Sequence, residues 1–226
     1  MSQPFLSVVI PAYNEASRIS ATLKEVTEFL RTRPYKWEVV VADDGSADTT
    51  PSLVAEWAGR EPRVHLLPLP HGGKGWAVQQ GMLAARGSYR FMCDADLSMP
   101  FEQVGRFLPP RLAGYHLAIG SREAPGSRRI GEPLGRRVTA KAFSLVVRLS
   151  LLPGIRDTQC GFKCLEGEAA EALFSSLRLT GFSFDVELLV LARRRGLRVV
   201  EVPIDWYYRP QSKVRPLRDA ARMFAD

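Results

Sequence analysis

Apolar runs of five or six residues alternate with amphipathic segments through the first half of the chain. Five runs have the length and composition of buried strands: 5–10, 37–42, 63–68, 89–93 and 117–121. Segments with helical periodicity lie between the first four runs, at 15–30, 49–57 and 74–86. Strands that alternate with helices predict an α/β fold, in which a mostly parallel sheet is flanked by helices in a single domain.

The second half of the chain is less regular. Residues 123–133 are rich in Gly, Pro and Arg and predict a mobile loop, whereas 136–152 has the pattern of a basic amphipathic helix. A turn at 157–162 leads into a short strand. The remaining elements that we predict are helices at 168–177 and 184–195 and a strand at 198–202.

Polar clusters follow each of the first four predicted strands. In chain order they read PAYNE, ADDGS, HGGKG and CDADLS. The carboxyl ends of parallel strands meet at one edge of a sheet, and ligands of α/β proteins bind in the crevice beyond that edge. Turn residues with a purely structural role would be scattered over both edges. The sequence therefore predicts a ligand site at the carboxyl edge.

Asp94 and Asp96 place two carboxylates at the end of the fourth predicted strand. Side-chain alternation in an extended segment puts both on the same side, where their like charges need a neutralising partner. Hard divalent cations such as Mg²⁺ bind one or two carboxylates and fill their other positions with water and substrate phosphates. We therefore predict a metal bound to a diphosphate at this point.

The other polar clusters have two interpretations each. Asp43 and Asp44 either cap the following helix or accept hydrogen bonds from a base or ribose. Lys74, in a glycine-flanked turn at a helix start, is either part of an anion site or a solvated lysine. Tyr13 either stacks on a base or packs at its turn.

The net charge of +7 is unevenly distributed. Residues 1–121 carry 12 basic and 12 acidic side chains, whereas 122–226 carry 19 basic and 12 acidic ones. Within the second half, 122–156 holds eight basic residues and two acidic ones, a local field suited to phosphates, anionic lipid or nucleic acid.

Membrane-spanning and secretion signals are not evident in the sequence. No run approaches the roughly 20 apolar residues of a membrane span, and the start of the chain lacks a signal-peptide pattern. The three cysteines, Cys93, Cys160 and Cys164, form no paired framework. They indicate a reducing compartment and a packing role.

The quoted motifs carry a family resemblance along nearly the whole chain. SVVIPAYNEASRI, VVVADDGSADTT, HGGKGWAVQQGM and CDADLS resemble, in order, the motifs of the inverting glycosyltransferase family 2, which has the GT-A fold. GSR, GIRDTQCGFKCL and FSFDVELLVLARRRGLRVVEVPIDW resemble its branch of dolichyl-phosphate glucosyltransferases and mannosyltransferases, the glucosyl enzymes more closely. The resemblance implies transfer of a hexose to a polyprenyl phosphate, with Mg²⁺ or Mn²⁺ and a nucleotide sugar. It favours UDP-glucose over GDP-mannose.

The resemblance also implies a donor half, residues 1–121, which binds the nucleotide sugar. Asp94 and Asp96 would contact the metal and the diphosphate. Ser98 stands where the mannosyl enzymes commonly have Gln, which removes one expected metal contact. The residues implied to bind the base and ribose, or to lie near the nucleotide, are Pro11, Tyr13, Glu15, Asp43 and Lys74.

The second half, residues 122–226, is implied to bind the acceptor. Arg122 and Arg136 would contact the acceptor phosphate, and Ser212 and Lys213 would lie in a C-terminal segment that closes over the diphosphate. Ala140 replaces a hydroxyl residue that some relatives have near the acceptor. We expect peripheral binding at the cytoplasmic face of a membrane, with 136–152 as an interfacial helix, although this helix could equally pack in the core.

Two other functions are compatible with parts of the sequence. A family 2 enzyme that acts on a sugar or small-molecule hydroxyl needs a carboxylate base, for which Asp157 and Asp185 are the candidates. A nucleic-acid-binding protein would explain the pI of about 9.6. However, its basic residues are mixed with aliphatic ones, so we expect no nucleic-acid partner.

Overall fold

The computed structural model describes residues 3–133 and 152–208. The expectations for Arg136, Ser212, Lys213 and nearly all of the helix at 136–152 lie outside this part of the chain. The strands are β1 Leu6–Ala12, β2 Trp37–Asp43, β3 Val64–Pro68, β4 Tyr89–Met92, β5 Leu117–Ser121, β6 Arg128–Ile130, β7 Lys163–Glu166, β8 Val199–Pro203 and β9 Asp205–Tyr207. The α-helices are α1 Ile19–Arg31, α2 Thr50–Arg60, α3 Lys74–Ala84, α4 Gly167–Phe174 and α5 Phe184–Arg194, with a 3₁₀ helix at Phe101–Arg106.

Seven strands form one sheet in the order β3-β2-β1-β4-β7-β5-β8. Strands β1 to β4 pair in parallel, as do β5 and β8, whereas β7 runs antiparallel to both of its neighbours. The prediction of a mostly parallel α/β sheet is confirmed. Because β7 runs in the opposite direction, residues that precede it lie at the same edge as residues that follow β4 and β5.

Both faces of the sheet are buried, which explains why its strands read as continuous apolar runs. In β1, Val8 and Ile10 join the core on one face, and Val9 joins the core on the other. Helix α1 covers the first face through Ile19, Leu23, Val26 and Leu30, an amphipathic stripe at helical spacing. The second core contains buried residues of α3, α4 and α5.

Strands β6 and β9 and the 3₁₀ helix differ from the sequence expectation, which placed a loop at 123–133 and the last strand at 198–202. Residues 123–133 contain strand β6, which pairs in parallel with β9 in a separate two-stranded sheet. Three residues, Arg-Arg-Ile, are too few and too polar to show an alternating pattern, so the pairing depends on contacts distant in sequence. The 3₁₀ helix at Phe101–Arg106 was also not predicted. In the ranges that the structure describes, no helix is long and apolar enough to cross a membrane.

Candidate active site at the carboxyl edge of the sheet

The loops after β1 and β2 are joined by hydrogen bonds. Asn14 donates its backbone N–H to Ser46 Oγ at 2.8 Å, and its Oδ1 accepts the N–H of Ala47 at 2.9 Å. Asn14 has a φ of 53°, a left-handed conformation that asparagine tolerates better than most residues. The two polar clusters PAYNE and ADDGS therefore form one wall of the crevice.

Asp44 connects the loop after β2 to the loop after β3. Its buried carboxylate accepts the backbone N–H of Gly72 at 2.8 Å and of Gly73 at 3.0 Å, and His71 Nδ1 lies 2.9 Å from Oδ2. Gly45 has a φ of 69°, and a Cβ there would lie 2.9 Å from the His71 nitrogen, so only glycine fits this close approach. Asp44 therefore has a structural role.

Of the two interpretations of Asp43 and Asp44, the helix cap is wrong, because α2 has Thr49 at its N-cap position and no side-chain capping hydrogen bond. Asp43 accepts hydrogen bonds from the N–H and hydroxyl of Ser46 at 3.1 and 2.5 Å, which close its own turn. The carboxylate at the start of α2 is that of Asp48, which accepts the N–H of Thr50 at 2.9 Å. Asp48 lies two residues before the first residue of α2, so its short side chain can reach the backbone N–H groups there, whereas Asp43 is too far away along the chain.

An ion pair joins the loops after β3 and β4. Lys74 Nζ lies 2.7 Å from Asp94 Oδ1. Burial alone would lower the pKa of Lys74, but the charges of Asp94, Asp185 and Asp96 together raise it. Burial likewise opposes ionisation of Asp94, and the Lys74 ammonium outweighs it, so the pKa of Asp94 is lowered. Lys74 is thus cationic and interacts with both carboxylates of the Asp94-Ala95-Asp96 (DAD) motif.

Asp94 and Asp96 lie in a turn, which corrects the expectation of an extended segment. Strand β4 ends at Met92, the N–H of Leu97 donates to the Asp94 carbonyl at 3.2 Å, and Leu97 has a φ of 44°. Asp96 Oδ1 accepts the N–H of Ser98 at 2.9 Å. Ser98 therefore stabilises the turn through its backbone N–H. Although the segment is not extended, both aspartates interact electrostatically with Lys74.

Arg122, which follows β5, is paired with Asp157. Its Nε and Nη2 donate to the two carboxylate oxygens at 2.7 and 2.8 Å, and its backbone N–H donates to Oδ2 at 2.9 Å. Burial of Asp157 favours its neutral form, but the adjacent guanidinium outweighs burial and lowers its pKa to about 2. These hydrogen bonds hold one edge of the Arg122 guanidinium and thereby fix its orientation.

A second buried pair lies beneath the DAD turn. Lys163, the first residue of β7, places Nζ 2.6 Å from Asp185 Oδ1 and 2.6 Å from the carbonyl of Cys160. Neither side chain is appreciably exposed. Burial raises the pKa of Asp185 more than the nearby lysines lower it. Lys163 also contributes to the positive field around Asp94.

The residues predicted to bind the nucleotide lie at the carboxyl ends of the first strands and in the loops that follow them. Pro11 is in β1, and Asp43 ends β2. Tyr13, about 40% exposed, stacks on His71 with ring centroids 4.5 Å apart. Glu15 pairs with Arg18 at 2.8 Å. The structure therefore brings these residues to one edge, together with Lys74, but their roles toward a nucleotide stay predictions.

The DAD turn has the chemistry of a divalent-cation site. Within residues 3–133 and 152–208, no cluster of three or more His, Cys, Asp or Glu side chains is arranged to hold a metal. A cation would depend on Asp94 and Asp96, supplemented by water and diphosphate oxygens, which is the donor set that Mg²⁺ prefers. The Lys74 ammonium already lies against Asp94, so this position favours positive charge. The residues present therefore fit a divalent cation.

Comparisons with known proteins identify the family of this chain. The profile described as Glycosyl transferase family 2 matches residues 7–174. Dolichyl-phosphate beta-glucosyltransferase ALG5D of Trichomonas vaginalis is 37% identical, over 94% of this chain and 69% of its own length. The dolichyl-phosphate beta-glucosyltransferase of Dictyostelium discoideum is 33% identical, over 98% of this chain and 72% of its own length.

Solved structures share the architecture. Glucosyl-3-phosphoglycerate synthase from Mycobacterium tuberculosis, crystallised with Mn²⁺, UDP and glucosyl-3-phosphoglycerate, has a TM-score of 0.66 and 23% identity, over 97% of this chain and 76% of that one. Mannosyl-3-phosphoglycerate synthase from Rubrobacter xylanophilus has a TM-score of 0.68 and 22% identity, over 97% and 70%. The fold is thus the GT-A fold of nucleotide-sugar glycosyltransferases. The chain belongs to glycosyltransferase family 2.

Sequence reasoning missed two contributors to the site. Gly161 lies so close to Asp94 that a Cβ there would be 2.1 Å from Oδ2. Lys163 is fully buried. The sequence did indicate a role for it, because a single lysine between Phe162 and Cys164 in an apolar run requires a carboxylate partner. The partner, Asp185, is 22 residues away and could not be identified from spacing.

Proposed function

We propose that this glycosyltransferase transfers glucose from UDP-glucose to a polyprenyl phosphate of the dolichyl type, with inversion at the anomeric carbon. The observation that carries the proposal is the charge arrangement around Asp94. Its carboxylate lies in the combined field of Lys74, Lys163 and Arg122, beside the second carboxylate of Asp96. Such a site suits a metal-bound diphosphate on one side and an anionic acceptor on the other. The names of the curated relatives supply the substrates.

The acceptor chemistry explains why no strong base is needed. A phosphate monoester with a second pKa of about 6 is already anionic at neutral pH. It can attack the anomeric carbon directly, so catalysis depends on positioning and on stabilising charge at the departing diphosphate. Lys74 is the described cation best placed for the diphosphate, because it lies at the start of α3, where backbone N–H groups also favour anions.

A divalent cation, Mg²⁺ or Mn²⁺, would supply Lewis-acid stabilisation of the diphosphate when bound. Asp94 and Asp96 are the residues that would hold it. Gly161 and the backbone N–H of Ser98 fix the orientation of these two carboxylates.

Arg122 is the described candidate for the acceptor phosphate. Asp157 holds one edge of its guanidinium, and the Trp206 ring lies 5.8 Å from its Cζ. Arg136, Ser212 and Lys213 complete the proposed acceptor and diphosphate contacts. In this division of labour, residues 1–121 bind the donor and 122–226 bind the acceptor, although β7 and β8 of the second part belong to the same sheet.

The hydroxyl-acceptor alternative fits the described contacts less well. Arg122 pairs with both oxygens of Asp157 and lowers its pKa to about 2, so Asp157 is a poor proton acceptor. Asp185 has a raised pKa, which favours base chemistry, but it is buried against Lys163. Retention of most activity in Asp185→Asn would exclude that base.

The test is a sugar-transfer assay with the purified protein. Radiolabelled UDP-glucose and GDP-mannose are offered in turn with a short polyprenyl phosphate and Mg²⁺ or Mn²⁺. We expect a lipid-extractable product from UDP-glucose that is lost with EDTA. Asp96→Asn should lower the rate by at least about 100-fold, the usual cost of a major electrostatic contact.

Glu28→Gln is the matched control, because this carboxylate is exposed on α1 and remote from the carboxyl edge. It should transfer sugar at the wild-type rate. A lipid product formed from GDP-mannose but not from UDP-glucose would show that the proposed donor is wrong. Release of free glucose without any lipid product would support the family but contradict the polyprenyl phosphate acceptor.

A further inference from the structure

The backbone of Lys74 is closely packed, whereas its side chain is long and flexible. Helix α3 begins at Lys74 between two glycines that contact the loop before α5. A Cβ on Gly73 or Gly75 would lie 2.7 Å from the carbonyl oxygens of Thr180 and Gly181, respectively. The start of α3 is therefore packed closely against that loop. Any adjustment at Lys74 falls on its four-carbon side chain.

The two carboxylate oxygens of Asp94 have different neighbours. Oδ2 faces Gly161, where even a methyl group would approach within 2.1 Å. Oδ1 faces the Lys74 ammonium at 2.7 Å. A cation that binds Asp94 through Oδ1 would meet the Lys74 ammonium at that oxygen.

Lys74 has a second source of compensation. The charge of Asp185 acts on it next after that of Asp94, and the Phe182 ring centroid lies 5.8 Å from Nζ. The side chains of Lys74 and Asp94 are also 26% and 29% exposed, so solvent can compensate each charge when the pair separates. The ion pair is therefore exchangeable at modest cost, unlike the enclosed pair of Lys163 and Asp185.

We propose that Lys74 is an internal counter-ion of Asp94 that competes with the divalent metal for the same carboxylate oxygen. The inference rests on the metal site of the proposed function. In the donor-free protein, the ammonium neutralises Asp94 and weakens metal binding. Metal binding then releases Lys74, which makes its charge available to the diphosphate. Metal and nucleotide binding are thereby coupled through one side chain.

The test measures binding of Mn²⁺ alone to the donor-free protein, by electron paramagnetic resonance of the free ion. Lys74→Met removes the ammonium and keeps the length of the side chain. We expect Mn²⁺ to bind about tenfold more tightly than to wild type, the factor for one charge-assisted hydrogen bond. The gain should persist in 0.5 M salt, because direct contact is screened much less than a distant charge.

Two further variants separate contact from other causes. Lys24→Met removes an exposed lysine on α1 and should leave Mn²⁺ affinity unchanged. Lys74→Cys, alkylated to aminoethylcysteine, restores the ammonium and should restore weak binding. The modification is selective, because the three native cysteines are buried and burial raises the pKa of each thiol.

The outcomes are distinct. Equal or weaker binding in Lys74→Met, with binding that still requires Asp96, would overturn the competition and leave the proposed function intact. An affinity gain that vanishes in high salt would also overturn it, since a long-range field would then be the cause. If neither wild type nor Lys74→Met binds Mn²⁺, both the competition and the metal site fail, whatever the transfer assay shows.

Discussion

Replacement of Asp157 by asparagine should destabilise the protein by removing the partner of Arg122. The pKa of Asp157 is lowered from its ordinary 3.8 to about 2, which corresponds to roughly 2 kcal/mol of stability at neutral pH. The carboxylate is 4% exposed, so solvent screening is small. Arg122 would remain without a charge partner, which raises the expected cost of Asp157→Asn to about 2–3 kcal/mol.

The assay is reversible urea unfolding of wild type and Asp157→Asn at several pH values. At pH 7 the full difference should appear, accompanied by a fall in melting temperature of about 5–10 °C for a chain of this size. Because the folded pKa is depressed, the stabilisation is present above the unfolded pKa and is lost as pH falls through the folded one. The difference should therefore shrink by roughly half at pH 3.

A small effect would refute this reasoning. A loss within about 0.5 kcal/mol, the usual range for exposed positions, would mean that the bidentate pair does not stabilise the fold. A difference that stays constant between pH 7 and pH 3 would show that ionisation of Asp157 is not its source. Glu28→Gln, at an exposed carboxylate, controls for the loss of a negative charge and should be neutral.

Two further predictions concern the metal turn and the membrane. In Gly161→Ala the new Cβ would overlap the Asp94 carboxylate, so Mn²⁺ affinity and transfer rate should fall at least about tenfold. Gly59→Ala, with nothing within 4 Å of a Cβ, is the control, and equal activity of both variants would contradict the contact. The protein should float with anionic liposomes at low salt and be released in 0.5 M salt, and Arg137→Glu combined with Lys141→Glu should weaken binding. Protein that stays entirely in the dense fraction would contradict peripheral binding.

The hydrophobic pattern was sufficient for the strands of the first half of the chain and for the meeting of its polar clusters at one edge. Each apolar run of the first half became a strand within two residues of its predicted bounds, because both faces of the sheet are buried. The polar clusters met at one edge because β1 to β4 are parallel and therefore share their carboxyl edge. The GT-A fold implied by the motifs was confirmed by the solved structures.

The sequence could not supply contacts between distant segments. The pairing of β6 with β9 joins residues 77 apart in three-residue strands that have no apolar alternation. Asp157 was considered as a base because its partner, 35 residues earlier, was unknown. Asp94 and Asp96 were placed in an extended segment because alternation was the available rule. The positive φ of Leu97, which turns the chain, is not evident from a leucine.

The direction of β7 explains how one site acquires charges from both halves of the chain. If β7 were parallel, Lys163 would begin at the opposite edge, and Gly161 could not contact Asp94. Because β7 is antiparallel and lies between β4 and β5, its first residues come to the carboxyl edge beside the DAD turn. Lys74, from the first 121 residues, is the cation in contact with Asp94. Arg122 and Lys163, which follow residue 121 in the sequence, add two further positive charges to the field around Asp94.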